Sequence, residues 1–143
     1  MIVHPAVIVH GLDDARAALA PGLPVTLLSA PAAAVFAGCL WWRQMVAAAR
    51  SEYKATEAID VLDCADGSGM AMAALRGGVC RLVVWPDASG WDRLAAIAGR
   101  QGGFIVTRAP PALDLAERNA IRRLHPWLLD SGRVGGDSSA SLR

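Results

Sequence analysis

The chain has 143 residues, of which 54% are hydrophobic, 19% charged and 6% aromatic, and 14 Lys+Arg against 13 Asp+Glu leave a formal net charge of +1. That is the size of one ordinary domain with enough apolar material for a core, which excludes disorder for its bulk. Near-neutrality excludes both the basic stripe that a nucleic-acid backbone requires and the acidic block of a solvating tail, so no nucleic-acid partner is expected.

Residues 1–9 contain no Lys or Arg, so no export signal is expected. Ala6-Val7-Ile8-Val9-His10 is a short β-branched run ended by Gly11, the pattern of a strand buried on both faces. Asp13 then predicts a capped helix to about Leu19, stopped by Ala20-Pro21-Gly22. Residues 17–42 are uncharged, long enough on count for a membrane span, but Pro21, Pro24 and Pro31 would interrupt it and its many alanines supply little transfer energy. No membrane contact is therefore expected.

Val25-Thr26-Leu27-Leu28 predicts the second strand. Ser29, followed by Ala30-Pro31, predicts the cap of one long helix to about Lys54, with Val35, Cys39, Trp42, Val46, Ala49 and Tyr53 at intervals of three and four. Residues 58–63 predict the third strand, and Asp66-Gly67-Ser68-Gly69 leads into a helix ending at Gly77-Gly78. Arg81 to Trp85 predicts the fourth strand, followed by a helix carrying Trp91, Leu94 and Ile97. Phe104 to Thr107 predicts the fifth. After Pro110-Pro111, Leu113, Ala116, Ala120, Ile121 and Leu124 predict a terminal helix that Pro126 ends or kinks.

Five strand–helix units with apolar strands predict a single α/β domain over residues 1–130, with a flexible tail over 131–143. The expected architecture is three-layer and doubly wound, a five-stranded mostly parallel sheet of flavodoxin-like or Rossmann-like kind. Order 2-1-3-4-5 is preferred and 3-2-1-4-5 is second.

In such a sheet the strand carboxyl ends share one edge, where helix N-termini converge and ligands bind. That edge collects the candidate ligand residues His10, Asp63, Asp66, Gly67, Ser68, Gly69, Asp87 and Thr107. Three of them, Asp63, Asp66 and Asp87, also suggest an oxygen-ligand site for Mg²⁺. The three cysteines, Cys39, Cys64 and Cys80, form no CxxC or CxxH pair, so neither a disulfide framework nor a zinc site is expected and a reduced cytoplasmic setting fits best. Trp41 and Trp42 point about 100° apart on a helix. With Trp91 and Trp127 they suggest a surface for self-association or a protein partner.

The segment Val61-Leu62-Asp63-Cys64-Ala65-Asp66-Gly67-Ser68-Gly69, with Asp87 at the next strand end, resembles the cofactor loop of class I S-adenosylmethionine-dependent methyltransferases. The resemblance covers about 27 residues. It implies that Asp63, Gly67 and Gly69 border the cofactor and Asp87 its ribose, with Ala65 standing where the family has its first glycine. A second stretch of features, Asp13, Asp14 and Asp63, resembles response-regulator receiver domains. Thr107-Arg108 replaces their lysine, and the sole lysine is Lys54, which implies a degenerate, phosphorylation-independent relative. The leading expectation is a small binding or protein-interaction module without catalytic machinery. The alternative is a site for a nucleotide-like or S-adenosylmethionine-like small molecule.

Overall fold

The structure, a computed structural model, describes residues 2–131. The tail expected at the C-terminus falls almost wholly outside them.

The elements run β1 (Ala6–Val9), α1 (Leu12–Leu19), β2 (Val25–Ser29), α2 (Ala33–Phe36), α3 (Cys39–Glu52), β3 (Ala58–Asp63), α4 (Ser68–Arg76), β4 (Arg81–Val83), α5 (Trp91–Arg100), β5 (Phe104–Val106), β6 (Ala112–Asp114) and α6 (Ala120–Ser131). Every strand pairing is parallel. The chain is thus α/β with a helix-flanked parallel sheet, consistent with a flavodoxin- or Rossmann-like arrangement.

Strand number and order depart from expectation. The sheet has six strands in the order β5-β4-β3-β2-β1-β6, in place of five in the order 2-1-3-4-5. The first five strands are laid down side by side in sequence, and β6 then returns to the far side of β1. The sequence pattern misses β6 because Ala112-Leu113-Asp114 has no β-branched residue and follows two prolines. Leu113, expected on a helix, is a strand residue, and the terminal helix starts seven residues later.

The expected long helix is also broken. Ala37 ends α2, and Gly38 at φ +83° turns the chain into α3. Only a residue without a Cβ adopts that conformation cheaply. Ser29 belongs to β2 rather than to a helix cap, and Gly11, not Asp13, occupies the cap position of α1. Pro126 lies inside α6 instead of ending it.

Alternate residues of the strands divide between two buried clusters. Val7, Val9, Val25, Leu27, Leu62, Leu82 and Leu113 join side chains from α1, α3, α4, α5 and α6 in the larger one. Ala6, Leu28, Val61 and Val83 form the smaller one, bordered by Ile2, Ile8, Phe104, Val106 and Ala112, with no helical residue. Yet Val61 and Val83 are fully buried.

Chain length explains how that second face is covered. From Val106 to Ala112 there are six Cα steps, at most about 23 Å. Five strand spacings, the separation of β5 from β6 in a flat sheet of this order, amount to about 24 Å. The two ends also differ in level, since Val106 aligns through Val83 with Asp63 while Ala112 aligns through Ala6 and Thr26 with Ile59. A flat sheet cannot be bridged, so the sheet curves, and Phe104 and Val106 of β5 and Ala112 of β6 pack against the cluster that holds Val61 and Val83.

Candidate functional site

Because all six strands are parallel, their carboxyl ends share one edge, and the sequence-derived candidates lie along it. They do not converge. β2 lies between β1 and β3, so His10 is two strand positions from Asp63, about 10 Å across the backbone. Thr107 follows β5 at the outer edge and is exposed, as are Asp66 and Asp87. Among the described residues no group of three His, Cys, Asp or Glu side chains is placed to hold a metal, which overturns the Asp63, Asp66, Asp87 arrangement for Mg²⁺.

Asp63 is the best-organised residue of this edge. It is buried, and its Oδ1 accepts the backbone N–H groups of Ala65 (2.9 Å) and Ala32 (3.2 Å). Both donors are non-glycine residues in the left-handed region, Ala65 at φ +51° and Ala32 at φ +59°. That conformation costs an alanine about 1–2 kcal/mol. One carboxylate oxygen thereby holds two strained turns, one leading to α4 and the other opening α2. Ser29 completes the arrangement: its Oγ accepts the Asp63 N–H at 2.9 Å and donates to the Ala30 carbonyl at 3.1 Å.

The remaining loop residues have structural explanations in the same geometry. A Cβ on Gly67 would lie 3.0 Å from the Cys64 carbonyl oxygen and 3.4 Å from Val35 Cγ2. The glycine thus permits a close turn against Val35 of α2. Ser68 opens α4 half-buried, and Gly69 is exposed. Cys64 is fully buried, and burial first, then the charge of Asp63, pushes its thiol up to about 12. A thiol so placed stays protonated and is not a nucleophile near neutral pH.

A residue that the sequence pattern did not single out sits at the other end of the edge. The His10 Nε2 lies 2.6 Å from Asp114 Oδ1, and the His10 backbone N–H donates to Asp14 Oδ2 at 2.9 Å. Asp114 also accepts the Ala116 N–H at 2.9 Å. Burial pulls the Asp114 carboxyl upward, but the Ala116 hydrogen bond and then the hydrogen bond and charge of His10 outweigh it, leaving it below the ordinary carboxylate value. The pair joins the carboxyl ends of two neighbouring strands, β1 and β6. Only recognition of β6 as a strand could have paired Asp114 with His10.

The tryptophans divide by environment. Trp42 is fully buried, and its Nε1 has no hydrogen-bond partner among the described residues; it belongs to the core, not to a surface. Trp91 and Trp127 are half-buried, and their Nε1 groups donate to the carbonyls of Val84 and Ala6, both at 2.8 Å. Trp41 is exposed, its ring tilted 50° against Trp42 with centroids 6.0 Å apart. Val35, Phe36 and Leu40, within six residues of it in sequence, are exposed too, which the periodicity of an unbroken helix did not mark. Trp85 is also exposed, and its backbone N–H donates to the Ala65 carbonyl at 2.9 Å.

The fold and site define the chain as an α/β protein with a helix-flanked parallel sheet. No family model, curated protein or solved structure matches the chain. Among the described residues no helix is long and apolar enough to cross a membrane.

Proposed function

We propose that the chain is a non-catalytic protein-interaction module that pairs with a second copy of itself through the corner between α2 and α3. The observation that carries this reading is the exposure of four large apolar side chains within seven residues: Val35 at 48%, Phe36 at 84%, Leu40 at 60% and Trp41 at 37%. Large apolar side chains left exposed in so short a segment support an interaction site, and aromatic side chains are the usual anchors of one. Residues 31–42 carry no charge, so two copies meet there without like-charge repulsion, and a two-fold contact requires such a self-complementary face. Asp63 ties the start of α2 to the sheet, which presents the patch in a fixed geometry and lowers the ordering cost of association. In light scattering after size exclusion, the wild-type chain is expected to run as a dimer at micromolar concentration, and Phe36→Asp with Leu40→Asp as a folded monomer. A wild-type chain that remains monomeric up to millimolar concentration overturns the proposal.

One observation favours a second reading, a small-molecule site with acid–base capacity. The His10–Asp114 pair at 2.6 Å lies at the carboxyl ends of β1 and β6, and an imidazole held by a carboxylate through one ring nitrogen has its other nitrogen available for proton transfer. A ligand that binds the folded chain raises its melting temperature by mass action. A panel of adenine nucleotides and S-adenosylmethionine is expected to give a shift that His10→Ala removes. No shift at millimolar ligand rejects this reading.

A further inference from the structure

A cleft of about 200 Å³ opens between α3 and the turn that leads from α4 into β4. Arg43 and Arg50 line it from α3, Arg81 from the first position of β4 and Asp60 from β3, with Val46 and Val79 as apolar wall. Three arginines against one aspartate leave two positive charges in excess, twice the formal net charge of the whole chain.

The donors of these side chains are largely unspent. Arg50 Nη1 is 3.9 Å from Asp60 Oδ1, an ion-pair distance too long for a hydrogen bond. Arg43 uses Nη1 on the Gly77 carbonyl at 2.9 Å, at the end of α4, and a guanidinium carries five N–H donors. Arg81 makes no ion pair among the described residues. Its backbone is held in the sheet between β3 and β5, so its position is fixed while its charge is unanswered.

We propose that this cleft binds a small phosphate-bearing molecule through Arg50 and Arg81, with Arg43 at the mouth. Planar guanidinium forks match phosphate oxygens two at a time, and two excess positive charges balance a phosphate dianion. The volume lies below the about 300–1,000 Å³ of sites for drug-sized ligands, so the occupant is small. Val46 and Val79 offer contact to a short carbon skeleton. The site is independent of the α2–α3 corner and does not require the chain to dimerise.

The test is titration calorimetry of the full chain at low salt with inorganic phosphate and with glycerol phosphate. Glycerol phosphate is expected to bind, with affinity falling as salt rises, and Arg81→Gln and Arg50→Gln each to weaken it by about tenfold or more. Asp60→Asn, which removes the one opposing charge, is expected to tighten it. Tighter binding of the ester than of phosphate identifies a phosphorylated metabolite as the ligand type; equal binding identifies the phosphate group itself. Absence of binding by both, or binding that neither arginine substitution alters in chains with wild-type circular dichroism, overturns the proposal.

Discussion

The strand-tip edge around Asp63 and the cleft beneath α3 hold polar groups in opposite conditions. At the edge, the Asp63 carboxylate, the Ser29 hydroxyl and the backbone of Ala32 and Ala65 satisfy one another, and α2 covers what they build. In the cleft three guanidinium groups meet one carboxylate at 3.9 Å or beyond the reach of an ion pair. Topology foretells where polar residues collect. Whether they are free to meet a ligand depends on how many partners the chain itself supplies.

The comparison breaks most clearly on stability. Asp63→Ala removes a buried acceptor from two strained turns and is expected to destabilise the fold by about 2–4 kcal/mol. Asp63→Asn keeps an accepting oxygen and is expected to cost less. Arg81→Gln, which abandons no ion-pair partner among the described residues, is expected to stay within about 0.5 kcal/mol. Guanidinium-induced unfolding of the three variants measures the contrast, and an Asp63→Ala chain as stable as wild type would show that the edge is not locked.

Thiol chemistry sharpens the same point at smaller cost to the fold. Cys64 is enclosed beneath the loop with its thiol near 12, whereas Cys39 and Cys80 are half-exposed. Alkylation of the native chain at mildly alkaline pH, read by peptide mass spectrometry, is expected to modify Cys39 and Cys80 and leave Cys64 intact. Labelling of Cys64 at a comparable rate would show that α2 lifts from the loop.

The smallest expected effect is on acid stability at the His10–Asp114 pair. The folded Asp114 carboxyl lies below its ordinary value, so its contribution is complete above the unfolded pKa of about 3.9 and disappears as pH falls through the folded one. The pair is partly exposed, which limits the contribution to the about 0–1 kcal/mol of surface ion pairs. Carboxyl chemical shifts followed from pH 5 to pH 2, as about the span of that titration, should show Asp114 titrating lower in wild type than in His10→Ala. Coincident curves would remove the ion-pair account.

Much of the architecture was legible because buried parallel strands announce themselves. Val7-Ile8-Val9, Val25 to Leu28 and Val61-Leu62 are apolar on both faces, and glycine or proline punctuates the turns between most units. The strand order was not, since side-by-side winding and reversal at the third strand use the same local patterns. The site was legible only in part. Asp63 was visible as a strand-tip acid, but its two acceptor bonds join it to Ala32, more than thirty residues away, and no spacing rule connects them. Asp114 was hidden by the three-residue strand that carries it, and the Arg43, Arg50, Arg81 cluster by its origin in a helix and a strand whose packing depends on the whole sheet. Helix periodicity across Gly38 merged α2 with α3 and thereby concealed the exposed corner.

The return of β6 to β1 has a consequence for biosynthesis. Strand β1, which leaves the ribosome before the rest of this sheet, acquires its second neighbour only when residues 112–114 emerge, which at about 5–20 residues per second is a delay on the order of 5–20 s. Through that interval the Ala-Val-Ile-Val backbone presents an unpaired apolar edge, the kind of template that captures other nascent chains. A truncation ahead of Ala112 would make that transient vulnerability permanent.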